Sequence, residues 1–503
     1  GFINDKGTIY LNDPNTTSGM LPSSFFFHQA AEIGLNPSQF ITYIIQTSLR
    51  ERLRTSINKA NYKKTLKVLD STINKLKSNK TEKLKIAIFL GGFSYERHIS
   101  VESGRNIYEK LASSKTYEPI PVFISGNKNE HKLHLIPISL LLKDNADDII
   151  SKLEVKRSHE VIEMIKTKAS KISSNFAYKD QIYFPKHLSY EELAKLVDGV
   201  FIALHGRPGE DGTVQAKLDE LNIPYNGSGV NSSQTMINKY LTNKKLKEHG
   251  LKVFEQSLVF KQKWTEDSDL VIQEVENLFS YPFIAKPVDD GCSSAVKVIH
   301  NRLELNAFSK LLFRTAKDLP VNEAKLLKID PKEEIPIKDQ YLIEEMAQIK
   351  DAEYMIEITG GLLTHLTEKG IKYEVFEPSE AVASKGILSL EEKFLAGEGQ
   401  NITPARFHRT DPLKNREISE KVRSDLENVA RILKIEGYAR IDAFVMIFKD
   451  HIETLIIEVN SLPGMTPATC IFHQAAINSY KPFEFIDRIL NYGINKTKRK
   501  MHA

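Results

Sequence analysis

Short apolar runs and longer helical periodicities alternate along this chain from about residue 84 onward. Residues 85–90 (KIAIFL) form an apolar run behind one lysine and read as a buried strand. Gly91-Gly92 breaks the run, and a helix is expected to start near Ser103. Residues 119–124 and 199–204 repeat the strand pattern, and strands spaced this way predict a parallel sheet with helices on its faces. About 70 residues separate the second of these strands from the third, against the roughly one dozen a crossover needs. An insertion is therefore expected at 127–190. The second half reads differently. Residues 233–249 are helical, and 281–286 with 295–299 suggest a hairpin around a Gly/Ser loop. Residues 341–345 and 353–358 are further strands. A helix at 417–433 precedes a strand pair at 438–448 and 452–459. The expected fold class is a multidomain α/β and α+β chain, a Rossmann-like part followed by two lobes with antiparallel sheets that can clamp a nucleotide.

The same patterning reveals a repeat. Residues 15–31 read NTTSGMLPSSFFFHQAA and residues 460–476 read NSLPGMTPATCIFHQAA, with nine of seventeen positions identical at a constant offset of 445. Roughly one match is expected by chance. The offset continues through Pro37/Pro482, Phe40/Phe485, Ile41/Ile486 and Ile44/Ile489, and Asp13 stands at the place of Glu458. The first 58 residues are thus expected to be the end of a second copy of the C-terminal element, a remnant of an upstream related unit. The alternative is an extension that kept only a packing motif. A Lys-rich bridge at 59–83, helical with a solvated face, follows it.

Composition narrows the classes. A length of 503 residues admits two to four domains. A net charge of +4 is small for that length and gives no case for a nucleic-acid or membrane partner. No apolar run approaches a membrane span, and residues 1–5 lack the basic and apolar regions of a secretion signal. Two cysteines, Cys292 and Cys470, cannot build a disulfide framework, so a reducing cytoplasm is expected. The basic tail 496–503 reads as frayed and solvated.

Chemistry concentrates at a few places. Glu458 and Asn460 lie two residues apart on a strand and so share a face, where they can join Asp442 of the neighbouring strand around a hard cation. Lys286 ends an apolar strand, within reach of phosphates as a point charge. The loop after it, residues 289–294 (DDGCSS), has the small residues that let backbone N–H groups close over phosphate. Lys239 and Lys393 are further phosphate candidates. Residues 205–212 (HGRPGEDG) make a glycine-punctuated turn with acid and imidazole at its rim. Residues 388–407, with Gly397, Gly399 and three acids, are expected to form a lid over the site.

These motifs carry a family resemblance. In order, Gly91-Gly92-x-Ser94-x-Glu96-Arg97-x-x-Ser100, HGxxGEDG at 205–212, Lys286-Pro287, Glu391-x-Lys393-Phe394, Arg440-x-Asp442 and ExNxxPGMT at 458–466 resemble the D-alanine–D-alanine ligases of the ATP-grasp superfamily, over about residues 84–493. The resemblance implies a Rossmann-like substrate subdomain at 84–238, a central ATP-grasp subdomain at 239–345 and a C-terminal one at 346–495. It implies ATP with Mg²⁺, two ions, for which Mn²⁺ can substitute, and peptidoglycan precursor synthesis through an acyl phosphate. It further implies that Glu96 binds the first amino acid's ammonium, with His205 nearby, and that Arg440 and the Gly464 backbone stabilise the oxyanion. Lys239, Lys286 and Ser293 would hold phosphates, and Lys393 would reach the γ-phosphate. Glu345, or Glu344 in its stead, and Glu353 would line the adenine and ribose pocket. Thr469 would bind the second substrate's carboxylate. The family also suggests a homodimer.

The chain departs from the family pattern at the latch that joins lid, phosphate loop and Glu96. Phe394 replaces the usual tyrosine, Cys292 the usual serine, and Asn238 the aspartate before Lys239. Two hydroxyls are lost, and hydrogen bonds to a charged group are worth about 1.5–3 kcal/mol. D-alanyl–D-lactate ligases carry phenylalanine at the lid position, so a hydroxy acid or another D-amino acid is the alternative second substrate. A non-catalytic partner of an upstream ligase unit is the alternative from another class.

Overall fold

The computed structural model describes residues 2–15, 19–20, 24–57, 59–78, 83–154, 159–177, 182–291, 295–330, 333–349, 351–382 and 401–502. Contacts divide the chain into two units. The first comprises residues 1–83, 112–116 and 135–186, and the second the remainder.

In the first unit the strands β1 (Phe2–Ile3) and β2 (Ile9–Tyr10) form a short antiparallel hairpin. Helix Phe25–Glu32 follows, then helix Pro37–Thr55. The start of the second is set by Asn36, whose side chain accepts from the Gln39 amide while Gln39 reaches back to the Asn36 N–H, with Pro37 at the first helical position. The Lys-rich bridge is helix Lys59–Ser78, and its Asp70 accepts a 2.6 Å hydrogen bond from Gln46. The insertion contributes helices Ile138–Lys143, Ala146–Lys152 and Glu160–Phe176. Phe27, Ala30, Leu35 and Phe40 form a small buried cluster, against which Tyr43, Ile44 and Phe176 pack. The helical part of the insertion thus lies on the repeat segment, which its sequence gave no means to foresee.

The second unit begins with β3 (Leu84–Gly91), hydrogen-bonded in parallel to β4 (Tyr117–Gly126) and β7 (Gly199–Ile202). The stretch read as an insertion also supplies β5 (His131–Leu135) and β6 (Lys186–Leu188), which extend the sheet to the order β6-β5-β4-β3-β7. Helix Arg97–Ala112 begins six residues before the expected start at Ser103. Its first turn is polar and carries no apolar period, but the Arg97 and Ser100 amides already donate to the Ser94 and Glu96 carbonyls.

The central sheet has the order β10-β9-β11-β8, from β8 (Gln256–Phe260), β9 (Phe283–Lys286), β10 (Lys297–Ile299) and β11 (Gln340–Glu344), each neighbouring pair antiparallel. Its apolar face packs on helices Ser268–Leu278 and Arg302–Phe313 through Ile272, Val275, Phe308 and Leu312. The third sheet contains β12 (Tyr354–Thr367), β13 (Gly370–Val375), β14 (Ser379–Ala381), β15 (Asn401–Ile402), β16 (Tyr438–Ile447) and β17 (Ile452–Asn460). Helix Pro412–Leu433, capped by Asp411, lays Val422, Leu426 and Val429 on one face of it. No described helix is long and apolar enough to cross a membrane.

Candidate active site

β7 runs out into residues 203–212, where His205 is buried. Its Nδ1 lies 2.8 Å from the Leu462 carbonyl oxygen, an atom that can only accept, so the proton is on Nδ1. Nε2 is then an acceptor and takes the Ser103 hydroxyl at 2.8 Å. Ser103 in turn accepts the Met465 N–H at 3.0 Å. Burial lowers the His205 pKa to about 4, keeping the ring neutral as this chain of bonds requires. Asn106 donates to the Met465 carbonyl at 2.7 Å, and Glu210 accepts the amides of Gly206 (2.8 Å) and Leu462 (3.0 Å). Four side chains of the parallel-sheet lobe therefore grip the segment 462–465 that carries Gly464. His205 is turned toward this segment and works as a clamp on it. Ser103, Asn106 and Glu210 were not singled out from sequence, although Glu210 sits in the HGxxGEDG run and Ser103 and Asn106 lie three residues apart on one helix face. Burial and the nearby Glu96 push Glu210 up to about 8, against the pull of the two amides.

Glu96 is buried at the start of helix Arg97–Ala112. Its carboxylate rests on the 289–291 loop: a Cβ at Gly291 would come within 2.5 Å of Oε2, so a larger residue there would displace the carboxylate. Gly206, at φ +65°, passes close on the other side.

On β16 and β17, Arg440 pairs with Asn460 and Asp442 with Glu458, so these four residues meet on adjoining strands. Immediately beyond Asp442 the register shifts by a bulge. On the outer half of β17 the even positions Ile452 and Ile456 pack in the core, yet past the bulge Val459 does, which turns Glu458 and Asn460 to the opposite face. Asp442 accepts Arg440 through both oxygens (3.0 and 2.8 Å), Thr359 on Oδ1 (2.6 Å) and the Asn460 amide on Oδ2 (3.3 Å). All four lone-pair positions of that carboxylate are engaged. Rotating the Asn460 amide releases one of them and presents the amide oxygen beside Glu458. The resulting all-oxygen donor set suits a hard divalent ion that keeps phosphate and water in its shell. Among the described residues no group of three His, Cys, Asp or Glu side chains forms a metal cage.

Lys239, first residue of helix Lys239–Glu248, faces this strand pair, with Nζ 3.4 Å from Glu458 and donating to the Asp290 carbonyl at 2.7 Å. Asn238 caps that helix by accepting the Leu241 N–H, a task aspartate performs as well. Lys286 is buried against Glu344 at 2.5 Å, and Glu344 also accepts Gln256. Of the two adjacent acids, Glu344 thus points inward at Lys286. Glu345 lines a cleft of about 410 Å³ with Phe254, Met346, Met446 and Leu455. Glu353 is exposed at the mouth of β12. Asp289 accepts Arg207 (2.5 Å) and Lys338 (2.7 Å), and Lys338 also meets Asp290 (2.9 Å). Burial works against the Asp289 charge, but these two cations hold its pKa at about 2. This ionic clasp fastens the phosphate loop to the 205–212 loop and was not read from sequence. Thr469 is buried as the cap residue of helix Cys470–Ile477, its hydroxyl donating to the Thr466 carbonyl at 2.7 Å. Cys470 is buried too, and burial raises its thiol pKa, which makes it inert. Cys292, Ser293, Lys393 and Phe394, and lid residues 388–400, lie outside the described residues.

A parallel-sheet lobe followed by two antiparallel-sheet lobes, with Lys239 meeting Glu458 of the last, defines an ATP-grasp enzyme. The family models for the D-ala D-ala ligase N-terminus and C-terminus match residues 85–228 and 246–491. Together they span most of the chain, which belongs to the D-alanine–D-alanine ligase family. A D-alanine–D-alanine ligase of Caldicellulosiruptor bescii is 27% identical over 418 residues, 83% of this chain and 97% of that protein. Among solved structures, the D-Ala:D-Ser ligase VanG of Enterococcus faecalis superposes with a TM-score of 0.53 at 18% identity, covering 82% of this chain and 99% of its own. The D-alanine–D-alanine ligase of Bacillus anthracis complexed with ATP gives 0.50 at 20% identity, covering 83% and 99%.

Proposed function

We propose that this chain joins D-alanine to D-alanine at the expense of ATP, for peptidoglycan precursor synthesis in the cytoplasm. The first D-alanine carboxylate attacks the γ-phosphorus, releasing ADP and forming D-alanyl phosphate. The second D-alanine's amine then attacks the carbonyl carbon, loses a proton and expels phosphate. The observation that carries this reading is the meeting of Arg440, Asp442, Glu458 and Asn460 on β16 and β17 opposite Lys239. Chemistry of this kind needs positioning and charge neutralisation more than a nucleophilic side chain.

Glu96 takes the first substrate's ammonium against Gly291. Arg440 and the Gly464 amide receive the oxyanion, and the clamp of His205, Ser103, Asn106 and Glu210 holds that amide in place. Lys239 and Lys286 bind phosphates, joined by Ser293 and Lys393. Glu344 stands behind Lys286, with Glu345 and Glu353 toward base and ribose. Thr469 would turn its hydroxyl from the Thr466 carbonyl to the second carboxylate. Asp442, Glu458 and Asn460 would hold Mg²⁺, which when bound neutralises phosphate charge. The family's dimeric habit and an upstream ATP-grasp unit belong to the same reading as partners.

The test is ADP release in the presence of D-alanine, with the mass of the product. Glu458→Ala is expected to abolish turnover while the melting temperature stays within a few degrees. Near-normal turnover in that variant refutes the metal assignment. Phe394 and Cys292 favour a second reading in which the acceptor is D-lactate or another D-amino acid. An ester product, lighter in nitrogen than the amide, identifies the lactate case, and no ADP with any small acid favours the non-catalytic partner.

A further inference from the structure

The two copies of the repeat are alike in sequence and opposite in environment. At the constant offset, Leu11, Phe26, Ile41 and Ile45 correspond to Ile456, Ile471, Ile486 and Leu490. The first four are 91, 40, 40 and 47% exposed, whereas their counterparts are 1, 1, 0 and 3% exposed. Residues pointing inward within the helix pair itself agree: Phe27 and Phe472 are both buried, as are Phe40 and Phe485. The segment therefore keeps its internal packing and lacks whatever covers its outer face.

The C-terminal copy shows what that cover is. Gln474 accepts the Gly361 N–H at 2.9 Å and donates to the Thr359 carbonyl at 2.8 Å, which ties helix Cys470–Ile477 to β12. A Cβ on Gly361 would meet Ile471 at 3.0 Å. Phe485 packs its ring against Phe376 and Tyr438, the latter on β16. The cover of the first helix is thus the β12–β16 sheet, whereas the stripe Ile486–Leu490–Gly493 of the second faces the parallel-sheet lobe, where a Cβ on Gly493 would run into the Tyr225 backbone. Gln29, the counterpart of Gln474, is exposed. The chain's own sheet cannot serve both copies, because β17 already pairs with β16 and Gln474 already occupies Gly361. Helices of the insertion pack on the other side of the segment, through Phe176 against Tyr43, and leave the outer apolar face open.

We infer that the face carrying Phe26, Ile41 and Ile45 docks a second ATP-grasp ligase unit, its antiparallel sheet over Phe26 and its parallel-sheet lobe over Ile41 and Ile45, and that this unit takes its last strand and two closing helices from residues 1–55 of this chain. The same docking completes a second nucleotide site. Asp13 and Asn15 stand at the places of Glu458 and Asn460, so the borrowed strand carries two of the three metal-ligand positions. Burying the three helix side chains supplies the hydrophobic drive. The inference rests on the family assignment and does not depend on which second substrate the enzyme takes.

The offset supplies the test, since residue 446 corresponds to residue 1. A polypeptide is made in which residues 84–445 are repeated directly in front of Gly1, and Ile45→Cys is introduced in it and in the 503-residue chain. Maleimide labelling of that cysteine is read by peptide mass. Labelling is expected to slow at least tenfold in the fused chain. Binding of a non-hydrolysable ATP analogue with Mg²⁺, followed by calorimetry, is expected to rise from one to two per polypeptide. Asp13→Ala in the fused chain returns the stoichiometry to one and leaves the cysteine protected. A control places residues 446–495 in the position of residues 1–50, so that the added unit receives the ending native to it, with Leu490→Cys in that ending. Protection in the control together with full labelling in the fused chain overturns the inference. ADP release by the 503-residue chain alone tests the ligase reading separately.

Discussion

Replacing Ser103 by alanine removes one oxygen and strands two buried partners. That oxygen accepts the Met465 N–H and donates to His205 Nε2. At about 1–2 kcal/mol for each unsatisfied neutral group, the gripped conformation of residues 462–465 loses roughly 2–4 kcal/mol. Ser103 lies inside a helix, where alanine is favoured by a few tenths of a kcal/mol, about 0.5 at most, so global stability falls by less than the loop does. If the Gly464 amide must be held for catalysis, kcat/KM for D-alanine falls about 30- to 1000-fold. A coupled ADP-release assay over a range of D-alanine concentrations, run beside urea unfolding, separates the two effects. The expected pattern is a large loss of kcat/KM with a modest shift of the unfolding midpoint. A loss below threefold in a folded variant refutes the clamp.

Other expectations follow from buried charge. Lys286→Met leaves the Glu344 carboxylate buried without its cation, a loss of about 3–5 kcal/mol; urea unfolding should show it, and adding Glu344→Gln should recover most of it, whereas an unchanged midpoint in the single variant would count against the pair. Burial raises Glu109 to about 7 from an ordinary value near 4.5. Folding then favours the protonated form, so this contribution is fully present below pH 4.5 and is lost as pH rises through 7, worth about 3 kcal/mol. Glu109→Gln should flatten that part of the melting-temperature profile, and parallel wild-type and variant profiles between pH 4.5 and 7.5 would refute the assignment.

How much was legible in the sequence follows from what kind of information each feature needs. Strands β3, β4 and β7 are continuous apolar runs because both sheet faces are covered, and such runs are visible in one dimension. The helix Arg97–Ala112 was placed late because its first turn is polar and faces the site. The strands β5 and β6 are short, carry histidine and lysine, and vanish against the helical insertion around them. Among site residues, Asp442, Glu458 and Asn460 were readable because a two-residue spacing fixes a common face. The roles of Ser103 and Asn106 were not, since their partner lies on a segment more than 350 positions away. The Arg207–Asp289–Lys338 clasp joins three separate stretches and has no local signature. Glu344 and Glu345 differ by one position and therefore by one face, so only the direction of β11 distinguishes them.

The bulge after Asp442 has a consequence for how this hairpin can change over time. Simple alternation would send Glu458 and Asn460 into the oily interior beside Ile456, and a single unpaired residue sends them out instead. Core and cation site are thus phased by one shared count along β17. Deleting the unpaired residue joins Ile456 directly to Glu458, and plain alternation then keeps the aliphatics in and the acids out. The strand can therefore shed its bulge without inverting either face, and what it cannot accept is a one-residue slip against β16, which would turn every side chain the wrong way.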